Sequence, residues 1–443
     1  MKYRKIRGDT MSKKIIVTAV ISVFVILILL GGWGVHKFNI VPVSNRASDT
    51  RDIPVLMYHS IDDTKGPYSV TAEKFKSDMD GLLKAGYTPV SYDEVVSFVH
   101  GDGSLPKKPV LITFDDGYKN NYEVVYPIVK EKNIKTGIFT IGSFIEYGDN
   151  AFTLDMAKEM EKSGLVGIGS HTYDLHRFDK KKRIGVTRMK TESVRQWEYL
   201  LRNDLATVIN LTKKTVGKAP VAFAYPYGYF NAECEAVIRD MGYLLTVTSE
   251  PGIGSVTKGD KESSYLLPRI CMDGKEASAA QEIENHRKTG KSVKIAECKK
   301  NLVSGAYATR IDALNKLYEN SSKKANIRTL KKFVDVNHLS EEEKRIMALA
   351  VNDGIIHGIG EDILGAEYFV TRGEFAVMLS RKTGMEETTE IKHTFTDGNE
   401  WNEKALSLCC EKGYMKPKAG DTFGCEDILT MKELNEICSK IKE

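Results

Sequence analysis

The sequence predicts an α/β fold built on a parallel sheet, open or closed into a barrel. One transmembrane helix precedes it and a small all-α repeat domain follows. Three observations predict this. Short apolar runs alternate with longer amphipathic ones from residue 52 to about 275, the pattern of strands joined by helices in a parallel sheet. The segment after 275 changes to helical, charged patterning with an internal repeat. Residues 15–35, IIVTAVISVFVILILLGGWGV, carry no charge. With 443 residues the chain is too long for one small core, so two or more domains are expected. Apolar content of 42% and charged content of 28% are ordinary for globular material, and a net charge of +4 gives no support to a nucleic-acid partner.

At the N-terminus, the uncharged run at ~1.5 Å per residue spans roughly 31 Å, about one hydrocarbon thickness. Lys2, Arg4, Lys5, Arg7, Lys13 and Lys14 precede it, so residues 1–14 are expected in the cytoplasm and the rest outside. No A-x-A-like cleavage site follows, which favours an uncleaved anchor over a signal peptide; a cut anchor would give a secreted protein. Residues 36–51 then read as a polar linker. The seven cysteines are odd in number and match no zinc ribbon. Export would permit a disulfide within residues 409–438, without assigning one.

The strands expected in the next segment are 53–58, 109–114, 136–141, 165–169, 220–225 and 243–248. Helices are expected over 71–86, where Phe75, Met79, Leu82 and Leu83 share a face, and over 192–212. Polar residues of interest follow the strands directly: His59 after the first, Asp115 and Asp116 after the second, SHTYDLH (170–176) after LVGIG, and PYG (226–228) after PVAFA. In parallel α/β folds the carboxyl ends of the strands share one face, where sites form.

His171 and His176 lie on one strand-end loop, and the adjacent Asp115 and Asp116 on another. Two imidazoles and one carboxylate suit Zn²⁺ with a fourth position for water, and Co²⁺ or Ni²⁺ can take the same ligands. Two idle neighbouring carboxylates would repel each other. If one binds a cation, the other is left to act as a base. A solvated DDG turn is the plainer reading of that pair alone; the histidine loop tips the balance to a metal. The spacing is not the helical H-E-x-x-H of zincin proteases.

TFDDGY, SHTYDLH and FAYPYG, in this order, resemble three motifs of the polysaccharide deacetylases of carbohydrate esterase family four. PVLMYHSI at 54–61 resembles the N-terminal motif of the rearranged branch that contains poly-N-acetylglucosamine deacetylases. The resemblance implies a distorted (β/α) barrel over residues 52–275. It implies Asp115 as general base, Asp116, His171 and His176 as metal ligands, His59 as general acid, and Tyr227 as donor of a backbone N–H to the oxyanion. Many relatives carry a base-orienting arginine where this chain has Ala224; Arg269, in LPRI, is the candidate replacement, its alternative being a surface salt bridge. Tyr118, Tyr173 and YGYF (227–230) supply rings near the expected mouth, for sugar stacking or for ordinary packing.

In the C-terminal third, FVD at 333–335 recurs as FTD at 395–397, and VTRGEFAVML at 370–379 aligns with LTMKELNEIC at 429–438. ATRIDALNKLY at 308–318 supplies the back half of an earlier copy. The units resemble surface-layer homology repeats, at 333–385 and, degenerate, at 394–440, with 276–332 as linker plus partial repeat. That resemblance implies binding to an anionic cell-wall polymer, with Arg310 and Arg372 as its ligand-reading arginines and Met431 at the third position; helix-start surface charges are the alternative. Stacking of three such units is expected, because each buries little alone.

The combined expectation is a membrane-anchored, extracellular enzyme associated with the cell wall. It would remove N-acetyl groups from amino sugars of a glycan such as peptidoglycan or poly-N-acetylglucosamine. Two alternatives stand beside it: a non-catalytic wall-glycan-binding protein, and a metal-dependent deacylase of a small acylated sugar.

Overall fold

The computed structural model describes residues 49–63, 66, 68–179, 183–288, 292–304, 306–385 and 391–441. The expected tail, anchor and nearly all of the linker, residues 1–48, lie outside them. No helix among the described residues is long and apolar enough to cross a membrane. Thr50–Glu443 form one compact unit.

Seven parallel strands close into a barrel among the described residues. They are β1 Val55–Tyr58, β2 Pro109–Asp116, β3 Thr136–Thr140, β4 Val166–Ser170, β5 Ala222–Ala224, β6 Leu245–Pro251 and β7 Leu267–Cys271. Their order round the barrel is β1-β7-β6-β5-β4-β3-β2, and β2 pairs back onto β1, with Val55 opposite Leu111 and Tyr58 opposite Phe114. Six of the seven were legible as apolar runs. β7 was not, because Pro268 and Arg269 interrupt it.

Side-chain alternation along β2 decides where its polar end points. Val110, Ile112 and Phe114 pack outward against Phe75, Met79, Leu82 and Val129 of the surrounding helices. Leu111 faces inward with Val55, Phe139, Ala222, Val247 and Leu267. Thr113 and Asp115 continue that inner face, and both meet Arg269. On β7, Leu267 and Arg269 share the inner parity while Ile270 packs outward. Tyr92, at the start of the helix Tyr92–Val99, packs into this inner cluster and stacks 5.1 Å from Phe139. A Cβ at Gly137 would lie 2.0 Å from the Tyr92 ring, so the glycine of TGIFT makes room for that ring.

Part of the segment read as linker belongs to the outer layer of the barrel. The helix Ala279–Arg287 packs on the helix Ala72–Lys84, where Asp78 accepts the Ala279 N–H at 3.0 Å and Lys74 Nζ at 2.5 Å. The helix Val293–Ser304 packs on Ala232–Asp240 and contributes Cys298 to a core with Cys234 and Phe230.

The repeat period is visible as repeated hydrogen bonding. Asp335 accepts the N–H groups of Leu364 and Gly365 at 2.8 and 2.6 Å; Asp397 accepts those of Phe423, Gly424 and Cys425 at 2.7–2.8 Å. Thr309, Thr371 and Thr430 each accept the N–H of the acidic residue three positions on, a capping arrangement. Bridges pair Thr309 with Phe369, Thr371 with Ile428 and Thr430 with Tyr307, so three helix starts close a ring. The ring is joined to the barrel. Phe369 and Ile428 share a core with Trp197, and Tyr307 packs against it. Buried Glu198 bonds the Phe369 N–H at 2.9 Å and Arg202 at 2.9 Å, while Arg195 pairs with Glu374. Cys234, Cys271, Cys298, Cys409, Cys410 and Cys425 are free thiols.

Candidate active site

Asp115 and Asp116 end β2, pointing in opposite senses along the alternation. Asp115 is 2% exposed and receives both guanidinium nitrogens of Arg269, Nη1 to Oδ1 at 2.6 Å and Nη2 to Oδ2 at 2.7 Å. Arg269 is itself buried, and its Nε donates to the Thr248 carbonyl at 2.8 Å. The arginine missing at Ala224 is thus replaced in space from β7. A bidentate fork both orients and charges the carboxylate. Burial pushes the Asp115 pKa up, but Arg269, His171 and His59 outweigh it and hold the carboxyl well below the usual range.

Asp116 has φ +75°, a left-handed conformation rare outside glycine and asparagine and frequent at functional sites. Its Oδ1 is buried and accepts no hydrogen bond. It faces His176 Nε2 at 3.5 Å and His171 Nε2 at 3.8 Å. The ligand atoms of Asp116, His171 and His176 lie within 4.8 Å of one another. The His171 ring has Nδ1 2.8 Å from the Ala224 carbonyl; donating there leaves Nε2 as a lone pair toward the cluster. Burial, with His171 close by, lowers the His176 pKa to about 3, so that imidazole stays neutral. An orphaned carboxylate oxygen and two ring nitrogens turned toward it fit a divalent cation. Asp204, on the helix Val194–Val216, holds the histidine loop by accepting the Tyr173 and Asp174 N–H groups, both at 2.7 Å.

His59 follows β1. Its Nε2 is 4.0 Å from Asp115 Oδ2, and its Nδ1 is 2.7 Å from Asp273 Oδ2. Burial works against the imidazolium, but the Asp273 hydrogen bond and the charges of Asp115, Asp273 and Asp116 raise the His59 pKa above its ordinary value. Tyr227 lies in the turn Pro226–Gly228 with φ +56°, its ring 4.3 Å from that of His176. Gly228 has φ +68°, and a Cβ there would fall 1.7 Å from Ser249 Oγ, so the YPYG turn requires glycine.

The structure therefore brings His59, Asp115, Asp116, His171, His176 and Tyr227 together at the carboxyl end of the barrel. It does not bring Arg310 or Arg372 to a surface. Each is 5% exposed. Arg310 donates to the His357 carbonyl at 2.9 Å; Arg372 donates to the carbonyls of Lys416 and Phe423 and pairs with Glu433 at 2.8 Å. Where an anionic ligand was expected, these guanidinium groups brace the repeats from within. Tyr173 hydrogen-bonds Glu146 at 2.8 Å, and Tyr118 packs 5.7 Å from Phe144 beside Asp116.

Asp273 and Asp204 were missed from sequence. The signal for Asp273 existed: like the other site residues it lies just past a strand end, two residues after Cys271 in CMDG, but the strand itself was hidden. Asp204 carried no signal, being one helical acid among many.

A family model described as polysaccharide deacetylase matches residues 102–246. His59, Arg269 and Asp273 fall outside that span. The Bacillus subtilis protein YxkH, which carries a polysaccharide deacetylase name, is 31% identical over 218 residues, covering 49% of this chain and 70% of that one. The poly-beta-1,6-N-acetyl-D-glucosamine N-deacetylase of Staphylococcus aureus is 30% identical over 211 residues, covering 46% and 68%. The structure of IcaB from Ammonifex degensii is 26% identical, covers 54% of this chain and 96% of that one, and aligns with a TM-score of 0.46. By its strand-end motifs, the matching family model and the Bacillus subtilis and Staphylococcus aureus relatives, the chain belongs to the polysaccharide deacetylase family.

Proposed function

We propose that the chain hydrolyses N-acetyl groups on amino-sugar residues of a polysaccharide of the poly-N-acetylglucosamine class, releasing acetate and a free amine. One observation carries the reading. The cluster Asp116, His171 and His176 is flanked by a base held ionised, Asp115 on Arg269, and by an acid whose pKa is raised, His59 on Asp273. Two titratable groups with pKa values driven apart are the usual mark of an acid–base pair. The relatives named as poly-beta-1,6-N-acetyl-D-glucosamine N-deacetylases support the substrate class.

Asp116, His171 and His176 would hold a divalent cation, Zn²⁺ by the donor set. When bound, such an ion supplies Lewis acidity to water and to the acetyl carbonyl. Asp115 Oδ2 accepts the proton of the attacking water. Arg269 makes it a weaker base than a free carboxylate but guarantees the ionised form and fixes its direction. As the carbonyl carbon gains an oxygen, the Tyr227 N–H donates to the charge developing on the acetyl oxygen. The C–N bond then breaks, and His59 Nε2 gives its proton to the departing nitrogen while Asp273 stabilises the ring through Nδ1. Water is consumed and no redox partner is needed.

The test is acetate release from β-1,6-linked N-acetylglucosamine oligomers by the full chain, before and after a chelator. Release that stops on chelation and returns with Zn²⁺, Co²⁺ or Ni²⁺ is expected. Release unchanged after the metal has been stripped to below detection would sink the reading.

The acid side has its own test. Asp273→Asn removes a carboxylate that raises the His59 pKa. An acid must be protonated to act, so activity falls as pH rises through that pKa. The alkaline limb of kcat is expected at lower pH in the variant than in the wild type, with the acid limb unmoved. Superimposable alkaline limbs would rule out this role for Asp273.

A further inference from the structure

Three large aromatic side chains stand exposed in one strip that starts at the metal cluster. Tyr227 stacks on His176 at 4.3 Å, Phe178 meets Tyr227 edge-on at 5.1 Å, and Tyr229 lies 6.4 Å from Phe178. Their exposures are 42%, 49% and 40%. Aromatic rings of this size are ordinarily buried or placed at an interface, since each holds apolar area worth removing from water. The backbone under the strip is constrained. Phe178 sits on the short strand Phe178–Asp179, paired with Arg183–Ile184, and Tyr227 and Tyr229 flank the glycine that the turn requires. Rings on such supports are presented without further ordering cost.

Charge narrows the occupant. Among the described residues beside the strip, Lys294 is taken up by the Gly228 carbonyl at 3.1 Å and Glu250 at 3.4 Å, and Arg177 pairs with Asp174. Lys294 Nζ also lies 5.9 Å from the centre of the Tyr229 ring, and about half of the Phe178 surface and two fifths of the Tyr229 surface face solvent. That suits the C–H face of an uncharged pyranose whose hydroxyls stay in water.

We propose that Phe178 and Tyr229 form a stacking subsite for sugar residues of the glycan next to the one being deacetylated, so that the site selects a polymer over a single sugar. The inference rests on the proposed glycan substrate. The strip is continuous with the cluster through Tyr227 and His176, so a chain whose acetyl group enters the cluster runs over these rings.

The experiment separates binding from turnover. In an Asp115→Asn background, binding of a β-1,6-linked N-acetylglucosamine pentamer and of the monomer is measured by calorimetry, with and without Phe178→Ala or Tyr229→Ala. Each change is expected to weaken the pentamer about tenfold, the scale of one lost ring-stacking contact, and to leave the monomer unchanged. In the otherwise wild-type chain, kcat/KM for the pentamer is expected to fall by a similar factor, carried by KM, with kcat held. Unchanged pentamer affinity in both variants overturns the subsite, as does an equal loss for pentamer and monomer or a pentamer that does not bind at all. Length-dependent binding through these rings, with no acetate released from any oligomer by the wild type, upholds the subsite and defeats the catalytic reading.

Discussion

Asp115→Asn is expected to keep its metal and lose its turnover. A positioned general base contributes roughly 10²–10⁴ to rate, so kcat for acetate release is expected to fall by about that factor, with metal content per chain unchanged. Asparagine retains an oxygen that can accept from one Arg269 nitrogen, in place of the two bonds that Asp115 makes. The guanidinium therefore stays partly satisfied, although its charge loses its counter-ion. Truncation of a buried ion-pair partner typically costs about 3–5 kcal/mol, and the amide should cost less. Circular dichroism and thermal unfolding beside the kinetic assay separate a folded, inactive variant from an unfolded one. Full acetate release by a folded Asp115→Asn chain would remove the base from the mechanism.

Asp116→Ala should behave in the opposite way, emptying the site before any question of rate arises. Even loss of an outer hydrogen-bonding partner of a metal ligand costs about 10–100-fold in affinity, and loss of a ligand should cost more. Metal per chain by mass spectrometry is expected to fall from about one to near zero after dialysis, and acetate release with it. Thermal unfolding gives an independent readout. A ligand that binds only the native state raises stability by mass action. Added Zn²⁺ should therefore raise the Tm of the metal-free wild type and not that of Asp116→Ala. The metal-free variant itself should be no less stable than the metal-free wild type. Asp116 Oδ1 is buried without a hydrogen bond, and burial pushes its pKa up, so the carboxylate is a burden on the fold unless a cation faces it. Retention of a full complement of metal by Asp116→Ala would show that the cluster is not the binding site.

Much of this site was readable because strand ends in a parallel barrel share one face. Once IPVLMY, PVLITF, LVGIG and PVAFAY are recognised as strands, His59, Asp115, Asp116, His171, His176 and Tyr227 must emerge at one end, whatever their distance in sequence. The period-2 rule then separates the two aspartates: Asp115 inherits the inner face of Leu111 and Thr113, and Asp116 does not. The recurring caps at Thr309, Thr371 and Thr430 were legible for a similar reason, since a cap-and-helix segment leaves the same letters each time it recurs.

The unread parts depended on partners distant in sequence. The chain by itself determined which residues could hold a cation and on which segments they sit, because those are properties of residue type and local periodicity. Only the tertiary structure decided that Arg269, rather than a residue near Ala224, clamps Asp115, and that Asp273 backs His59, since both ride on a strand whose apolar run is broken by Pro268 and Arg269. It also decided that Arg310 and Arg372 turn inward. A guanidinium at a helix start reads the same whether it faces solvent or a neighbouring repeat's carbonyls; closure of the three-unit ring places those carbonyls within its reach.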